Sequence, residues 1–300
     1  MIVATEDGMT KTPFENYHIR MRRVLDHIDR HLDQDLSLAT LSGVAAFSMH
    51  HFHRQFSATF GVSVYRYVQL ARMKRASYQL TYRDQINVTE IAMDAGYQAP
   101  DAFARAFRER IGQAPSEFRK SPDWEPWFAA FWPLTSARSK LMKAYSNSDV
   151  AIREFPATSV AVMAHRGRPG RLPETIQSFI TWRKAAGLGR DKSATFTVFH
   201  SPQASSGDDY SVDLCAATDR PAPTNTHGVA AGLIPGGRCA VIRVVGESEN
   251  LEAPALFLYR DWLPASGEEA GDFPLFCRRV SYYPDVPEHE TITDLFLPLK

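Results

Sequence analysis

Cysteine is scarce in this 300-residue chain, which has three: Cys215, Cys239 and Cys277. They are odd in number, widely spread and without a CxxC pair. That excludes a disulfide framework and a metal knuckle, and it reads as reduced, buried thiols in a cytoplasmic protein. Long apolar runs are lacking as well. None approaches the length of about 20 residues that spans a bilayer, so no membrane partner is expected. The start, Met-Ile-Val-Ala-Thr-Glu-Asp-Gly, has neither a basic stretch nor an apolar core, which argues against a signal peptide. Catalytic signatures are missing too: there is no G-x-S-x-G elbow, no P-loop and no glycine fingerprint for a dinucleotide. His165 and Asp294 are isolated candidates that form no legible set. No cofactor is implied, and the chain reads as a non-enzyme.

Net charge is also absent, since Lys+Arg and Asp+Glu both number 34. The zero hides an uneven distribution. Residues 17–120 hold 15 basic and 10 acidic side chains, whereas residues 151–300 hold 15 and 18. Six of the ten histidines also fall in 17–120. A basic front of this kind suits nucleic acid, and an acidic back does not. A hydrophobic content of 44% is ordinary for a folded globular chain. At roughly 150 residues per domain, the length suggests two domains.

Residues 1–16 read as a flexible tail. From Tyr17 to Leu32 the apolar positions Ile19, Val24, Leu25, Ile28 and Leu32 fall on one helical side. An internal repeat follows. Phe52, Phe56 and Phe60 stand four apart and precede Gly61; Phe103, Phe107 and Ile111 repeat the spacing 51 residues later and precede Gly112. Arg54 and Arg105 occupy the same place in the two copies. Leu41-Ser42 and Val44-Ala45 match Ile91-Ala92 and Asp94-Ala95 if the second turn is one residue longer. Each copy reads as helix, turn, helix, with Ser48 as an N-cap, Pro100 in a first turn, and the two glycines as C-caps. Val64–Leu80 is a connecting helix.

Each aromatic stripe must face a core. That leaves Met49, His50, His53, Arg54 and Ser57 outward in the first copy, and Asp101, Ala104, Arg105 and Arg108 in the second. His50, His51 and His53 lie close in sequence, but no cysteine or carboxylate completes a metal set, so no metal is expected. A helix-turn-helix reads the major groove with its second helix, and two such units can address groove faces about 34 Å apart. Arginine suits the bidentate contact to guanine.

The residues that carry a family resemblance are Ser48-x3-Phe52-x-Arg54-x-Phe56-x3-Phe60-Gly61, Tyr67, Arg72-x3-Ala76, Ile91-Ala92-x3-Gly96-Tyr97, Phe103-x-Arg105-x-Phe107 and Gly112-x2-Pro115-x2-Phe118-Arg119. On these, residues 17–120 resemble the DNA-binding domain of AraC/XylS-family transcription regulators. The resemblance implies double-stranded DNA and RNA polymerase as partners. It places His50, His53 and Arg54 toward bases in the first reading helix, and Pro100, Asp101, Ala104 and Arg105 in the second. Pro100 and Ala104 offer no donor, so the second helix is expected to contact phosphates more than bases.

Residues 121–149 read as an aromatic-rich linker. Three of the five tryptophans sit within Trp124–Trp132, which excludes a flexible Gly/Ser tether. The simplest expectation is an arm packed on one domain; a sharper one is an arm that couples the two.

Residues 150–300 change to β-branched runs. Strands are expected at Thr158–His165, Thr195–His200 and Tyr210–Ala216, with a helix at Glu174–Ala186. After a loop at 219–237 the order recurs: strand Cys239–Gly246, helix Ala253–Leu263, strands Leu275–Tyr283 and Ile292–Pro298. Trp182 and Trp262 match. The fold class is therefore an all-α N-terminal domain of two helix-turn-helix units joined by a helix, followed by an α+β domain with a duplicated β-α-β-β. Trp182, Asp213-Leu214-Cys215, Pro235-Gly236-Gly237, Trp262-Leu263-Pro264-x-Ser266-Gly267 and Thr293-Asp294-Leu295-Phe296-Leu297-Pro298 give this half its likeness to the GyrI-like effector-binding domain.

That resemblance implies a cleft for a small-molecule effector of cationic or aromatic character. Phe179, Trp182, Trp262 and Tyr282 are candidate walls. A glutamate common in that family, two residues before the tyrosine of a Pro-containing turn, is replaced by Ser281, which leaves Glu288 or Glu290 to supply the charge. Two alternatives stand beside effector binding: a hydrolase of reactive small molecules, and an interaction module for gyrase or RNA polymerase.

Overall fold

A computed structural model describes residues 13–141, 145–201, 210–220, 228–246 and 251–300. Among these, residues 13–121 and 126–141 form one compact unit, and residues 122–125 with those from 145 onward form a second. Of the tail expected over residues 1–16, residues 1–12 lie outside the described residues, and residues 13–16 are not tail but the first turn of a helix. No helix of the described residues is long and apolar enough to cross a membrane.

The first unit is helical. Helix α1 (Pro13–Arg30) is followed by α2 (Leu38–Ala45), α3 (Met49–Phe60), α4 (Val64–Tyr82), α5 (Val88–Asp94), α6 (Pro100–Ile111), α7 (Pro115–Lys120) and α8 (Trp124–Ser139). Val24, Leu25, Ile28 and Leu32 are buried in the core of this unit. Ile19 is 37% exposed, unlike the rest of its predicted stripe.

The repeat is realised through its caps. The hydroxyl of Ser48 accepts from the His51 amide and opens α3, and Pro100 opens α6. Gly61 and Gly112 close the two helices in left-handed backbone. The turns also match: the Phe47 amide donates to the Ser42 carbonyl, and the Tyr97 amide to the Ala92 carbonyl, both at 3.0 Å. One extra residue then separates Tyr97 from α6, as the spacing predicts.

The two phenylalanine stripes are the cores of the repeats. Phe52, Phe56, Phe103, Phe107 and Ile111 have no exposed surface, and Phe60 is nearly as buried. The rings touch edge to face, Phe56 against Tyr67 at 5.7 Å and Phe107 against Phe118 at 5.4 Å. Each buried ring stabilises the unit by about 1.5–3 kcal/mol.

The stretch read as a linker is helical. Trp127, Phe131, Leu134 and Arg138 recur at helical spacing and are buried. Trp127 packs on Tyr78 of α4 at 5.6 Å, and Arg138 is ion-paired with Asp29 of α1. Lys140 donates to the Thr59 carbonyl at 3.0 Å. Pro133 stands inside α8, where the amide it lacks would have bonded Ala129; Ala129 is exposed, so water can satisfy that carbonyl.

The second unit is an eight-stranded antiparallel sheet with helices on one face. Its strands are β1 (Val150–Phe155), β2 (Thr158–Arg166), β3 (Thr195–Phe199), β4 (Ser211–Ala217), β5 (Val229–Ile234), β6 (Gly237–Val245), β7 (Phe276–Arg279) and β8 (Ile292–Pro298). Helix α9 (Leu172–Ala185) follows β2. After β6, α10 (Glu252–Leu256) runs through a π-helical stretch, Phe257–Trp262, into α11 (Leu263–Ser266). The duplicated β-α-β-β is present, and each copy is preceded by a further strand. These are β1, and β5 within the segment read as a loop. The strand expected over Leu275–Tyr283 shrinks to Phe276–Arg279.

The sheet order is β1-β6-β8-β7-β3-β4-β2-β5. Exchanging the strands of one repeat for those of the other reverses this list onto itself, so the unit has a pseudo-two-fold axis between β3 and β7. The first strand of each repeat pairs across to the other: β1 with β6, and β5 with β2. One register runs through both pairings. Phe155 faces Gly237, and three residues further along one strand and back along the other, Thr158 faces Ile234. Pro156 and Pro235 occupy the bends. Gly236 lets them approach, since a Cβ there would lie 2.7 Å from the Ala157 nitrogen.

The sheet is strongly curled. Phe155 on β1 and Phe196 on β3 are four strands apart, roughly 19 Å in a flat sheet, yet their rings are 5.9 Å apart. Phe276 and Phe296 stack at 4.8 Å beside them. These rings, with Val160, Val198, Ile234 and Val241, fill the face without helices. The helical face holds two separate cores, one under α9 and one under α10 and α11.

Candidate functional site

In the helical unit the site follows from burial. With the stripes inward, His50, His53 and Arg54 are exposed on α3, and Asp101, Arg105 and Arg108 are exposed on α6; Pro100 and Ala104 are half-buried. The repeat superposes Arg54 on Arg105, His50 on Asp101 and His53 on Ala104. His51 is set apart from the others, because its ring packs against Phe47 at 5.1 Å and its Nε2 lies 3.2 Å from Gln55 Nε2. Among the described residues no group of His, Cys, Asp or Glu is placed to hold a metal.

In the sheet unit, alternation assigns every strand residue to a face. The face without helices carries Ala164 and Arg166 of β2, Asp213 of β4, Arg243 of β6, Arg278 of β7 and Asp294 of β8, with His200 just beyond β3. Asp213 and Asp294 hold equivalent places in the two repeats. Asp213 lies 2.9 Å from Arg166 Nη2 and 2.7 Å from His200 Nε2. Asp294 accepts two bonds from Arg243, at 2.7 and 2.8 Å, which push the Arg243 guanidinium above its ordinary range.

A cleft of about 440 Å³ opens where β2 ends and α9 begins. It is lined by Ala164, His165, Arg166, Gly167, Arg168, Arg171, Glu174 and Thr175. His165 is buried, with Nδ1 2.8 Å from the Thr175 hydroxyl and Nε2 3.3 Å from the Arg168 carbonyl. Arg171 reaches Glu174 at 3.1 Å, and both are largely exposed.

The aromatic residues read as walls are not brought together. Phe179 and Trp182 stack at 6.0 Å in the core beneath α9, and Trp262 lies in the other helix-face core. The Tyr282 hydroxyl donates to Thr195 Oγ1 at 2.6 Å, and its ring lies 5.1 Å from the Arg190 guanidinium. Glu288 and Glu290 form a short turn beside the end of β6, the second-repeat counterpart of the β2 end that lines the cleft. The residues missed by sequence reasoning are Arg166, Arg168, Arg171 and Thr175. Their signal is an arginine run that leaves a strand and enters a helix.

Comparison with known proteins assigns both halves. Residues 148–300 match the family described as the GyrI-like small molecule binding domain. Residues 41–121 match a helix-turn-helix domain. The chain is 36% identical over 153 residues to "Probable transcriptional regulator YgiV" of Escherichia coli (strain K12), covering 50% of this chain and 96% of that protein. It is 32% identical over 100 residues to an uncharacterized HTH-type transcriptional regulator of Staphylococcus aureus, covering 33% of this chain and 13% of that one. Among solved structures, the EcmrR C-terminal domain is 15% identical, with 50% of this chain and 96% of that chain covered and a TM-score of 0.43.

Proposed function

The chain belongs to the GyrI-like small molecule binding domain family, and from that premise we propose that it is a transcription regulator whose helical unit binds a specific DNA site and whose sheet unit binds a small-molecule effector. One observation carries the DNA half: Arg54 and Arg105 recur at the same place on the exposed faces of two second helices. Helix-turn-helix geometry puts such side chains in successive major grooves, within reach of base edges or of the flanking phosphates. The surplus of positive charge on the same unit serves the phosphates.

The effector acts by binding better to one conformational state of the regulator than to another. RNA polymerase is a further partner in this reading. Catalysis is not part of it, and turnover of reactive electrophiles by the full chain would overturn that element.

The direct test is selection of DNA ligands by the full chain, followed by titration of the winner against salt. Affinity should fall steeply, with a slope near −0.9 per phosphate contacted. A flat salt titration, or a pool with no enriched sequence, would overturn the DNA assignment.

A further inference from the structure

We infer that Arg72 and Arg75 of α4 are positioning residues that fix the separation of α3 and α6, and so set the spacing of DNA contacts that the helical unit accepts. This rests on the reading of that unit as a DNA binder that addresses two successive major grooves.

The connection runs along one face of α4, where Arg72, Arg75 and Gln79 follow one another at helical spacing. Arg72 holds the approach to the first repeat. Its Nε and Nη2 donate to the Leu32 and Gln34 carbonyls, both at 2.7 Å, in the segment between α1 and α2. That segment is tied to α2 in turn, because Asp35 accepts from the Ser37 amide at 3.1 Å and from the Thr40 hydroxyl at 3.2 Å. Arg75 holds the second repeat. Its Nη2 donates to the carbonyl of Asp94, the last residue of α5, and Gln79 donates to the Asp94 carboxylate at 3.4 Å. A carbonyl at a helix C-terminus has no partner within its own helix, and the helix dipole favours a cation there.

Arg72 also fills the turn between α5 and α6. A Cβ on Gly96 would lie 2.8 Å from its Nη1, so the guanidinium occupies the space that a side chain would take. One group thus touches the entry to α2 and the turn that leads into α6. In the first repeat the turn meets Arg20 of α1 instead, which donates to the Ala46 carbonyl at 3.3 Å and lies 5.2 Å from the centre of the Phe47 ring. That contact stays within residues 20–47.

The chemistry of the clamp matters because the aromatic cores lie inside each repeat and apolar contact is not directional. A guanidinium presents its donors in a rigid fork, so its bonds fix angle as well as distance. Along a duplex one base pair is about 3.4 Å of rise and about 35° of turn. A clamp loosened by a few ångströms therefore covers the difference between neighbouring spacings.

The test uses the full chain and its selected DNA site, with one base pair inserted at the centre of the site or removed from it. The parent should bind both altered sites at least about tenfold more weakly than the selected one. Arg72→Met should shrink that penalty to about threefold or less, and Arg75→Met should shrink it part of the way. Arg72→Lys, whose ammonium can reach one of the two carbonyls, should fall between the parent and Arg72→Met. A purely structural role would lower affinity for all three sites by one factor and leave their ratio alone. An unchanged ratio in both Met variants therefore overturns the inference. If circular dichroism shows Arg72→Met unfolded, Arg72→Lys and Arg75→Met decide in its place by the same ratio. A parent that binds the three sites equally overturns the positioning role and leaves the DNA reading standing, whereas a parent that enriches no sequence removes both.

Discussion

Ala46 and Gly96 hold the same left-handed position in the turns of the two repeats, at φ 53° and 82°. Ala46 is the only non-glycine with positive φ among the described residues. An alanine there carries about 1–2 kcal/mol of strain that a glycine does not. Part of that is returned as the extra freedom of glycine in the unfolded chain.

Ala46→Gly should therefore stabilise the helical unit by about 0.5–1 kcal/mol, read as a raised urea midpoint with unchanged slope. Gly96→Ala should do the opposite and by more, about 2 kcal/mol. Its Cβ would lie 2.8 Å from Arg72 Nη1. That guanidinium is held in place by bonds to the Leu32 and Gln34 carbonyls, both at 2.7 Å. Equal midpoints for both variants would show that the turn tolerates either residue.

The two arginines at the repeated position of α3 and α6 should behave differently. Arg54→Ala should cost about 1–3 kcal/mol of DNA affinity and erase discrimination at one base pair. Arg105 has Ala104 and Pro100 as neighbours, which offer no side-chain donor to a base. Arg105→Ala should weaken all sequences alike and lower the salt slope by about one. Anisotropy titrations against a panel of single base-pair changes separate the two outcomes. A uniform loss in Arg54→Ala would move it to the phosphate class.

Asp29 and Arg138 are 7% and 8% exposed, and they join α1 to α8. Asp29→Ala removes the carboxylate that faces a buried guanidinium. The expected loss is about 3–5 kcal/mol in a thermal or urea melt. The double variant Asp29→Leu with Arg138→Met removes both charges and should recover most of it. A single variant as stable as the parent would mean that the ion pair adds nothing to the apolar packing that holds α8.

The cysteines set an alkaline limit. Burial, reinforced by Asp213 and Cys277, pushes the Cys215 thiol up to about 12 from an ordinary 9.0. Below pH 9 folded and unfolded chains both keep the proton, and the stability is complete. Between pH 9 and 12 only the unfolded chain releases it, so stability falls with rising pH by about 1.4 kcal/mol per unit for this thiol. Urea melts at pH 8, 9 and 10 should show the decline, and Cys215→Ala should make it shallower. All three thiols are buried and free, so a charged disulfide reagent should leave the native protein untouched at pH 8.

The helical unit was the more legible half because its signals are local. Ser48, Pro100, Gly61 and Gly112 mark helix ends through their own backbone chemistry, and the repeat supplied a second reading of each. The α8 helix was hidden by Pro126 and Pro133, which break helices in most contexts. Pro126 lies in the first turn, where a missing amide does no harm. In the sheet unit, β5 is Val-Ala-Ala-Gly-Leu-Ile, whose small residues have little preference for extended structure. It is a strand because β2 pairs with it, and that pairing spans some 70 residues of sequence.

The candidate cleft was illegible for a related reason. Phe179, Trp182 and Trp262 have the side chains of pocket walls and of core alike, and the helical face uses them as core. The charged groups at the end of the helix-free face come from alternate residues of strands far apart in sequence. Arg166, Asp213, Arg243 and Asp294 are ordinary one by one, and only the register puts each arginine beside its aspartate.

The crossing of β1 and β5 between repeats has a consequence for what half of this sheet can be. A single repeat has no site for its own first strand, which lies at the edge with its hydrogen bonds unmade unless another copy receives it. One repeat produced alone would have to associate with a second through mutual strand exchange. The sheet unit is, in that sense, a two-fold dimer written into one polypeptide, with the covalent link between repeats replacing a dissociation constant. Fragments cut between β4 and β5 should therefore find each other in solution and rebuild the same eight strands.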